Sequence, residues 1–334
     1  LLWLLADGTR PYLKGNPPIT VDIPRGARTL EIAARLEQSG VVRSRWTFLA
    51  LHLLPPFGTL KAGEYDFTEP ASTLAVLRKL VRGDVSYEVL IVPEGSNRFE
   101  IAERVAAQGF STREEFLRAT EDPSPVAALD PQAANLEGYL FPDSYHLPRH
   151  ARPAQIVRAM VDRFREVYFQ LQPPSVRRSI REIVTIASLV EKETGVERER
   201  PLIAGVFYNR LRRGIALQAD PSVAYATFLH SGYTGLVRRS DLRIDSPYNT
   251  YLNRGLPPGP IANPGRASLQ AALHPSQTDY LYFVASGEGG HVFSRTLAEH
   301  NSAVAQFRRW QDERRQQARA NAAPANPAAG ESSR

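Results

Sequence analysis

SIREIVTIASLVEKETG, residues 179–195, is the stretch on which the reading of this chain turns. Ile180, Ile183, Val184, Ala187 and Val190 recur at helical spacing and form one buried stripe, so the segment reads as an amphipathic helix. At about 100° per residue, Glu191 and Glu193 fall on opposite shoulders of that stripe, each partly turned toward the interior. Periodicity does not choose between them. Gly195 is a natural residue just past a helix C-terminus, which puts both carboxylates in the last turn. There they meet the negative end of the helix macrodipole, and with partial burial a carboxyl pKa rises toward neutrality. A general acid needs that property. The plainer alternative pairs both glutamates with Lys192, Arg198 or Arg200 on a solvated surface.

Around this segment the apolar period predicts further helices over 98–108, 112–119, 153–170 and 199–213, with the central one spanning 176–194. From Leu256 to Phe293 the chain turns rich in loops and strands. Tyr282 and Phe283 read as a buried strand, and Leu256-Pro-Pro-Gly259 as a rigid turn. Upstream lies an internal repeat. Val21-Asp-Ile-Pro24-Arg-Gly26 precedes Glu31-Ile-Ala-Ala-Arg-Leu36, and Ile91-Val-Pro93-Glu-Gly95 precedes Glu100-Ile-Ala-Glu-Arg-Val105. Matched positions lie 69 residues apart, and Gly40 corresponds to Gly109. Each copy reads as a short strand, a Pro-x-Gly turn and an amphipathic helix. Lys61–Phe67 adds a strand and Thr73–Arg82 a short helix, which closes a compact α+β module over 17–88. A larger mixed α/β domain follows over 89–313. Residues 314–334 read as a disordered tail, rich in Ala, Pro and Ser toward its end.

The 334 residues are 43% hydrophobic and 23% charged, which excludes a disordered or collagen-like chain. The formal charge of +6 suits a polyanionic partner such as a cell wall or phospholipid head groups, and part of it sits in RRWQDERRQQAR. With no cysteine, disulfides, thiolate metal sites and cysteine nucleophiles are excluded. LLWLLA at residues 1–6 is too short to cross a bilayer, which takes about 20 apolar residues. It reads as the end of a longer apolar anchor, with residues 1–16 its remnant and linker.

The chain has no Gly-x-Ser-x-Gly elbow, no phosphate-cradling Gly-Lys-Ser/Thr loop and no His-Glu-x-x-His. Asp143, His146 and His150 have metal-like spacing, but Pro148 breaks any helix between them, and the stretch reads as a surface loop. No metal or cofactor is expected. Glu137–Tyr145, Leu217–Ser222, Ser246–Tyr251, Asn263-Pro-Gly265 and Tyr280–Ala285 gather aromatic, amide and carboxylate side chains. Aromatic faces stack on sugar rings while Asn and Gln bond hydroxyl and N-acetyl groups, so the combination suits a carbohydrate cleft.

These stretches resemble the endolytic murein transglycosylases, the MltG/YceG-like family. The matching residues are Lys61-Ala-Gly-Glu-Tyr, Glu137-Gly-Tyr-Leu-Phe-Pro-Asp-Ser-Tyr, Ile186-Ala-Ser-Leu-Val-Glu-Lys-Glu-Thr and Val206-Phe-Tyr-Asn-Arg-Leu. Leu217-Gln-Ala-Asp-Pro-Ser-Val, Tyr248-Asn-Thr-Tyr, Gly255-Leu-Pro-Pro-Gly-Pro-Ile-Ala-Asn-Pro-Gly and Gly289-Gly-His-Val-Phe complete the set. The resemblance covers about residues 17 to 310. It implies a bacterial inner-membrane enzyme with a single-pass N-terminal anchor, a LysM-like module over 17–88 and a periplasmic catalytic domain that cuts peptidoglycan strands internally. It also implies one catalytic glutamate in Glu-Lys-Glu-Thr. That role falls to Glu193, because Glu193-Thr194 is similar to the Glu-Ser pair of other lytic transglycosylases, with Glu191 as runner-up. Glu137, Gln218, Asp220, Tyr248 and Asn249 are the expected substrate contacts. Peptidoglycan strands are the implied partner, with peptidoglycan synthases nearby and no nucleic acid.

In that chemistry one carboxyl suffices, whereas ordinary glycosidases use two. Protonated Glu193 donates to the oxygen between N-acetylmuramic acid and N-acetylglucosamine, and the N-acetyl group stabilises the oxocarbenium-like centre. The ionised Glu193 then takes the muramoyl C6 hydroxyl proton and closes a 1,6-anhydro ring. Two other readings compete: a lysozyme-type hydrolase with Asp220 as second carboxylate, and a wall-binding protein without catalysis.

Overall fold

A computed structural model describes residues 8–54, 57–171, 178–232 and 236–322. The expected anchor residues 1–6 and the end of the expected tail lie outside the described residues. The chain is a mixed α/β protein whose described residues form eleven helices and three two-stranded antiparallel sheets. It divides into two compact units, Leu1–Ile91 with Val105–Thr112 and Ser144–Ile156, and Val92–Arg104 with Arg113–Asp143 and Val157–Arg334.

In the first unit, strand β1 (Ile19–Ile23) leads to helices α1 (Thr29–Gln38) and α2 (Arg45–His52), then β2 (Gly63–Phe67) and α3 (Thr73–Arg82). β1 and β2 pair antiparallel, with Ile19 opposite Phe67 and Ile23 opposite Gly63. Val21 and Ile23 point inward while Thr20 and Asp22 face out, the period-two pattern of a half-buried strand. Ile32, Leu36, Phe48, Tyr65, Leu77 and Leu80 fill the core beneath. α3 is closed at both ends: Ser72 Oγ accepts from Ala75 N, and Gly83 turns left-handed at its C-cap.

The repeat is real in the backbone. β3 (Glu88–Ile91) leads through Pro93-x-Gly95 to α4 (Arg98–Ala107), as β1 leads through Pro24-x-Gly26 to α1. Gly26 and Gly95 have φ of 81° and 74°, and Gly40 and Gly109, after the helices, have 79° and 75°. A side chain would strain each of these left-handed positions, which explains why glycine recurs at the same four places. The stretch read as a surface loop around His146 is instead strand β4 (Ser144–Leu147), paired antiparallel with β3. Its alternation, with Tyr145 and Leu147 buried and Ser144 and His146 exposed, carries the strand signal over only four residues.

The second unit carries α5 (Arg113–Glu121), α6 (Pro153–Leu171), α7 (Ile180–Glu193), α8 (Arg200–Arg212), α9 (Asp220–Ser231) and α10 (Arg266–Leu273). The hairpin β5 (Tyr282–Ala285) and β6 (His291–Ser294) follows, then α11 (Leu297–Ala322), which continues past residue 313. α7 packs against α8 and α10. Eight consecutive buried positions, Ile183–Val190, together with Ile180, make it nearly buried all round rather than along one stripe. Ser179 Oγ caps its start by accepting from Glu182 N at 3.2 Å.

The loop 258–265 runs beside α7 and is bonded to it at three heights. Arg181 Nη1 donates to Pro258 O (2.8 Å), Ile261 N to Ser188 Oγ (3.1 Å) and Gly265 N to Glu191 Oε2 (2.9 Å). Residues 181, 188 and 191 share one helix face. Asn263, fully buried, ties this loop to two more segments. Its Oδ1 accepts from Leu140 N (2.8 Å), and its Nδ2 donates to Ser96 O (2.9 Å) and Glu137 Oε1 (3.1 Å).

Replacing Asn263 with Ala leaves the Leu140 amide unpaired in the interior and takes one donor from Glu137, while Ser96 O keeps the bond from the main-chain N of residue 263. Asn263→Ala therefore loses about 3 kcal/mol of stability or more, measured by urea unfolding.

Candidate active site

Both glutamates do lie in the last turn of α7, but the helix is not closed by Gly195. Glu193 is its final residue, and Thr194 turns extended at φ −144° with its Oγ1 accepting from Val196 N at 2.9 Å. A side-chain-closed turn does the work expected of a left-handed glycine.

The surroundings separate the two carboxylates. Glu191 faces the 258–265 loop, with 5% of its side chain exposed, bonded to Gly265 N and ion-paired to Arg200 Nη2 at 3.1 Å. Glu193 points to another face and makes no hydrogen bond or ion pair among the described residues. It lines a cavity of about 550 Å³. Burial pushes its carboxyl up to about 8, and the charge of Asp220 adds to the shift.

Gln218, Asp220, Tyr251 and Arg210 line the same cavity. The segments 217–222 and 246–251, far apart in sequence, are stitched together beneath it. Ser222 Oγ and Thr250 Oγ1 lie 2.8 Å apart, Ala219 N donates to Thr250 Oγ1 (3.0 Å), and Gln218 N donates to Thr250 O (3.1 Å). Tyr251 OH donates to Asp220 Oδ1 at 2.6 Å, and both effects of that neighbour, after burial, hold the phenol well above its usual range. Gln218 is the one non-glycine residue with positive φ (50°) among those described. Strain of this kind persists where surrounding bonds over-determine it, here the Thr250 carbonyl and the Arg210 guanidinium that donates to Gln218 Oε1.

The other expected contacts sit elsewhere. Glu137 does not line this cavity. It is buried, accepts from Arg98 N (3.0 and 3.2 Å), Tyr225 OH (3.0 Å) and Asn263 Nδ2, and burial raises its carboxyl to about 7 against those bonds. Tyr248 packs edge-on against Tyr225, with ring centres 5.1 Å apart. Asn249 is wholly buried. Its Nδ2 donates to Leu242 O and Ile244 O while its Oδ1 accepts from Tyr251 N, so it holds the turn that presents Tyr251.

Sequence reasoning missed Tyr251 and Arg210 as site residues. Tyr251 closes the Ser246–Tyr251 cluster but was not among the expected contacts, and its bond to Asp220 singles it out. Arg210 lies on α8 and is buried, its guanidinium donating to Ala216 O, Leu281 O and Gln218, with its own pKa lowered by burial. The hairpin supplies more of the wall through Tyr282–Ala285 and His291, and α11 adds Leu297, His300 and Asn301. β5 is a strand as expected, yet it is half-buried rather than buried, and all four of its residues line the cavity.

The YceG-like family model matches residues 21–306. The chain is 34% identical over 308 residues to a protein of Bacillus subtilis (strain 168) named endolytic murein transglycosylase, covering 86% of this chain and 84% of that one. It is 32% identical over 321 residues to a protein of the same name from Streptococcus pneumoniae (strain ATCC BAA-255 / R6), covering 84% of this chain and 58% of that longer protein. A 2.6 Å crystal structure of a yceG-like protein from Listeria monocytogenes aligns with a TM-score of 0.54 at 35% identity, over 86% of this chain and 99% of that one.

The two glutamates differ in what removing their charge does. Glu191→Gln breaks a buried ion pair and is expected to cost about 3 kcal/mol or more. Glu193 binds its proton more tightly folded (about 8) than at its ordinary 4.5, so it takes stability away as pH rises from 4.5 toward 8. Glu193→Gln is therefore expected to raise Tm, and by more at pH 8 than at pH 5, in thermal scans of both proteins.

Proposed function

The chain belongs to the YceG-like family, and from that premise we propose that it is an endolytic murein transglycosylase with Glu193 as its one acid and base. The observation that carries this reading is an unpaired, half-buried carboxyl held near pH 8 in an open cavity, while its neighbour Glu191 is consumed by Arg200 and Gly265. Below about pH 8 the carboxyl is protonated and ready to donate to the glycosidic oxygen between N-acetylmuramic acid and N-acetylglucosamine. The N-acetyl group of the muramoyl sugar stabilises the oxocarbenium-like centre. The Glu193 carboxylate then accepts the C6 hydroxyl proton as O6 bonds to C1, giving a 1,6-anhydro end. The reaction is a carbon–oxygen lyase step, and no water enters the bond made. Gln218 and Tyr251 stand where they reach the ring, and Asp220 raises Glu193 by its charge. Glu137, Tyr248 and Asn249 support the site from behind its walls.

The β-α-α-β order of the first unit, with its antiparallel outer strands, supports a LysM-like glycan-holding module. Placement at the bacterial inner membrane with the catalytic unit in the periplasm belongs to the same proposal, beside the synthases that supply new strands. It rests on the apolar LLWLLA at residues 1–6, since no described helix is long and apolar enough to cross a membrane. Asp220 shares the cavity with Glu193, and that favours one competing reading, a two-carboxylate hydrolase.

Mass spectrometry of peptidoglycan fragments separates the readings. The expected products are internal fragments with anhydro-muramic ends, lost with Glu193→Gln and kept, at permissive temperature, with Glu191→Gln. Reducing ends would make the protein a hydrolase, and binding without cleavage a wall-binding protein. The activity of the unmodified protein is expected to fall as pH rises through about 8. Asp220→Asn should move that fall to lower pH, because it removes a charge that raises Glu193.

A further inference from the structure

The mechanism above leaves one arrangement on the cavity wall unused. His291, the first residue of β6, lines the cavity and is gripped twice by one carboxylate. Its ring Nδ1 lies 2.7 Å from Glu199 Oε2, and its backbone N donates to Glu199 Oε1 at 3.0 Å. Glu199 is buried in the short 3-10 turn Glu197–Glu199, in the segment joining α7 to α8. The grip therefore couples the hairpin to the chain that leaves the helix bearing Glu193. Burial alone would push the Glu199 carboxyl up, and the bonds from His291 outweigh it and hold the group below its usual range. Glycine precedes His291 because a Cβ on Gly290 would come within 2.6 Å of Glu199 Oε1. Phe283, also on the cavity wall, stands edge-on to the imidazole at 90° with ring centres 5.4 Å apart.

This clamp fixes which nitrogen is free. A carboxylate on Nδ1 keeps a proton there, so Nε2 is the acceptor in the uncharged tautomer of the ring. Nε2 has no partner among the described residues and is not among the buried unpaired atoms, so it keeps some exposure on a side chain that lines the cavity. A strap that only closed the hairpin would need neither a place on the cavity wall nor an accessible nitrogen. Sugars offer what such a nitrogen lacks: hydroxyl and acetamido N–H donors.

We propose that His291, oriented by Glu199, is a substrate-binding residue that accepts a hydrogen bond through Nε2 from a hydroxyl or acetamido N–H of the glycan. Glu199 is then a positioning residue that acts through His291. The proposal rests on the glycan reading of the cavity.

The test uses the full chain carrying Glu193→Gln, which binds without cutting, and purified uncrosslinked glycan fragments as the probe. Calorimetry is expected to show binding weakened about tenfold when His291→Ala is added, as for loss of one well-placed hydrogen bond. His291→Gln, which keeps an acceptor, should recover part of it, and Glu199→Gln should fall between. With Glu193 intact, His291→Gln should raise KM more than it lowers kcat. Nitrogen-15 spectra of the Glu193→Gln protein give a readout that needs no His291 variant: the His291 Nε2 resonance should shift on glycan addition. Unchanged affinity together with an unmoved resonance overturns the proposal and leaves a structural strap. Absence of any glycan binding by the Glu193→Gln parent overturns the glycan reading itself, and this inference with it.

Discussion

Leaving a polar group unpaired in the interior of the second unit costs stability, and one amide side chain removes that cost at several groups together. Asn263 satisfies the Leu140 amide, the Ser96 carbonyl and one oxygen of Glu137 at once. Glu137 in turn caps the start of α4 by accepting from Arg98 N, and receives Tyr225 OH from α9. Four segments that are distant in sequence thus meet at one buried node. Because the same 258–265 loop is bonded to α7 at residues 181, 188 and 191, the node also sets where the last turn of that helix sits. The position of Glu193 is a consequence of packing remote from it.

At that turn, two chemically identical side chains two residues apart have opposite fates. Glu191 gives both oxygens to partners, one to the Arg200 guanidinium and one to the backbone N–H of Gly265. Glu193 has burial and a like charge instead, so its neutral form is favoured. The protein gives up stability at neutral pH to keep an unpaired carboxyl there, and such local costs concentrate at functional sites. The left-handed Gln218 beside it is a second instance.

The sequence made some of this legible. The Pro-x-Gly repeat was visible because left-handed glycines recur at fixed spacing, and the backbone shows the same turns at Gly26 and Gly95. Helix α7 was visible from its period, although the buried run from Ile183 to Val190 shows that a single stripe understates its packing. The choice between Glu191 and Glu193 was not legible from period, since it depends on Arg200 and Gly265, which only folding brings near. The same holds for Asn249 and Tyr251: an asparagine in an aromatic cluster looks like a sugar contact, while its amide is spent on three main-chain bonds within its own turn. Strand β4 was hidden by its length, four residues being too few for alternation to stand out.

The absence of any bonding partner on Glu193 among the described residues has a bearing on how a turnover would close. In the proposed reaction the proton given to the leaving oxygen is replaced by one from the same substrate, the C6 hydroxyl. The protein then ends each cycle in the protonation state in which it began. Such a site requires no relay of side chains or ordered water to reload it from bulk solvent, and a carboxyl isolated from every other polar group is compatible with that economy. A hydrolase in the same cavity would have to admit one water per cycle, and a proton of that water would restore the acid.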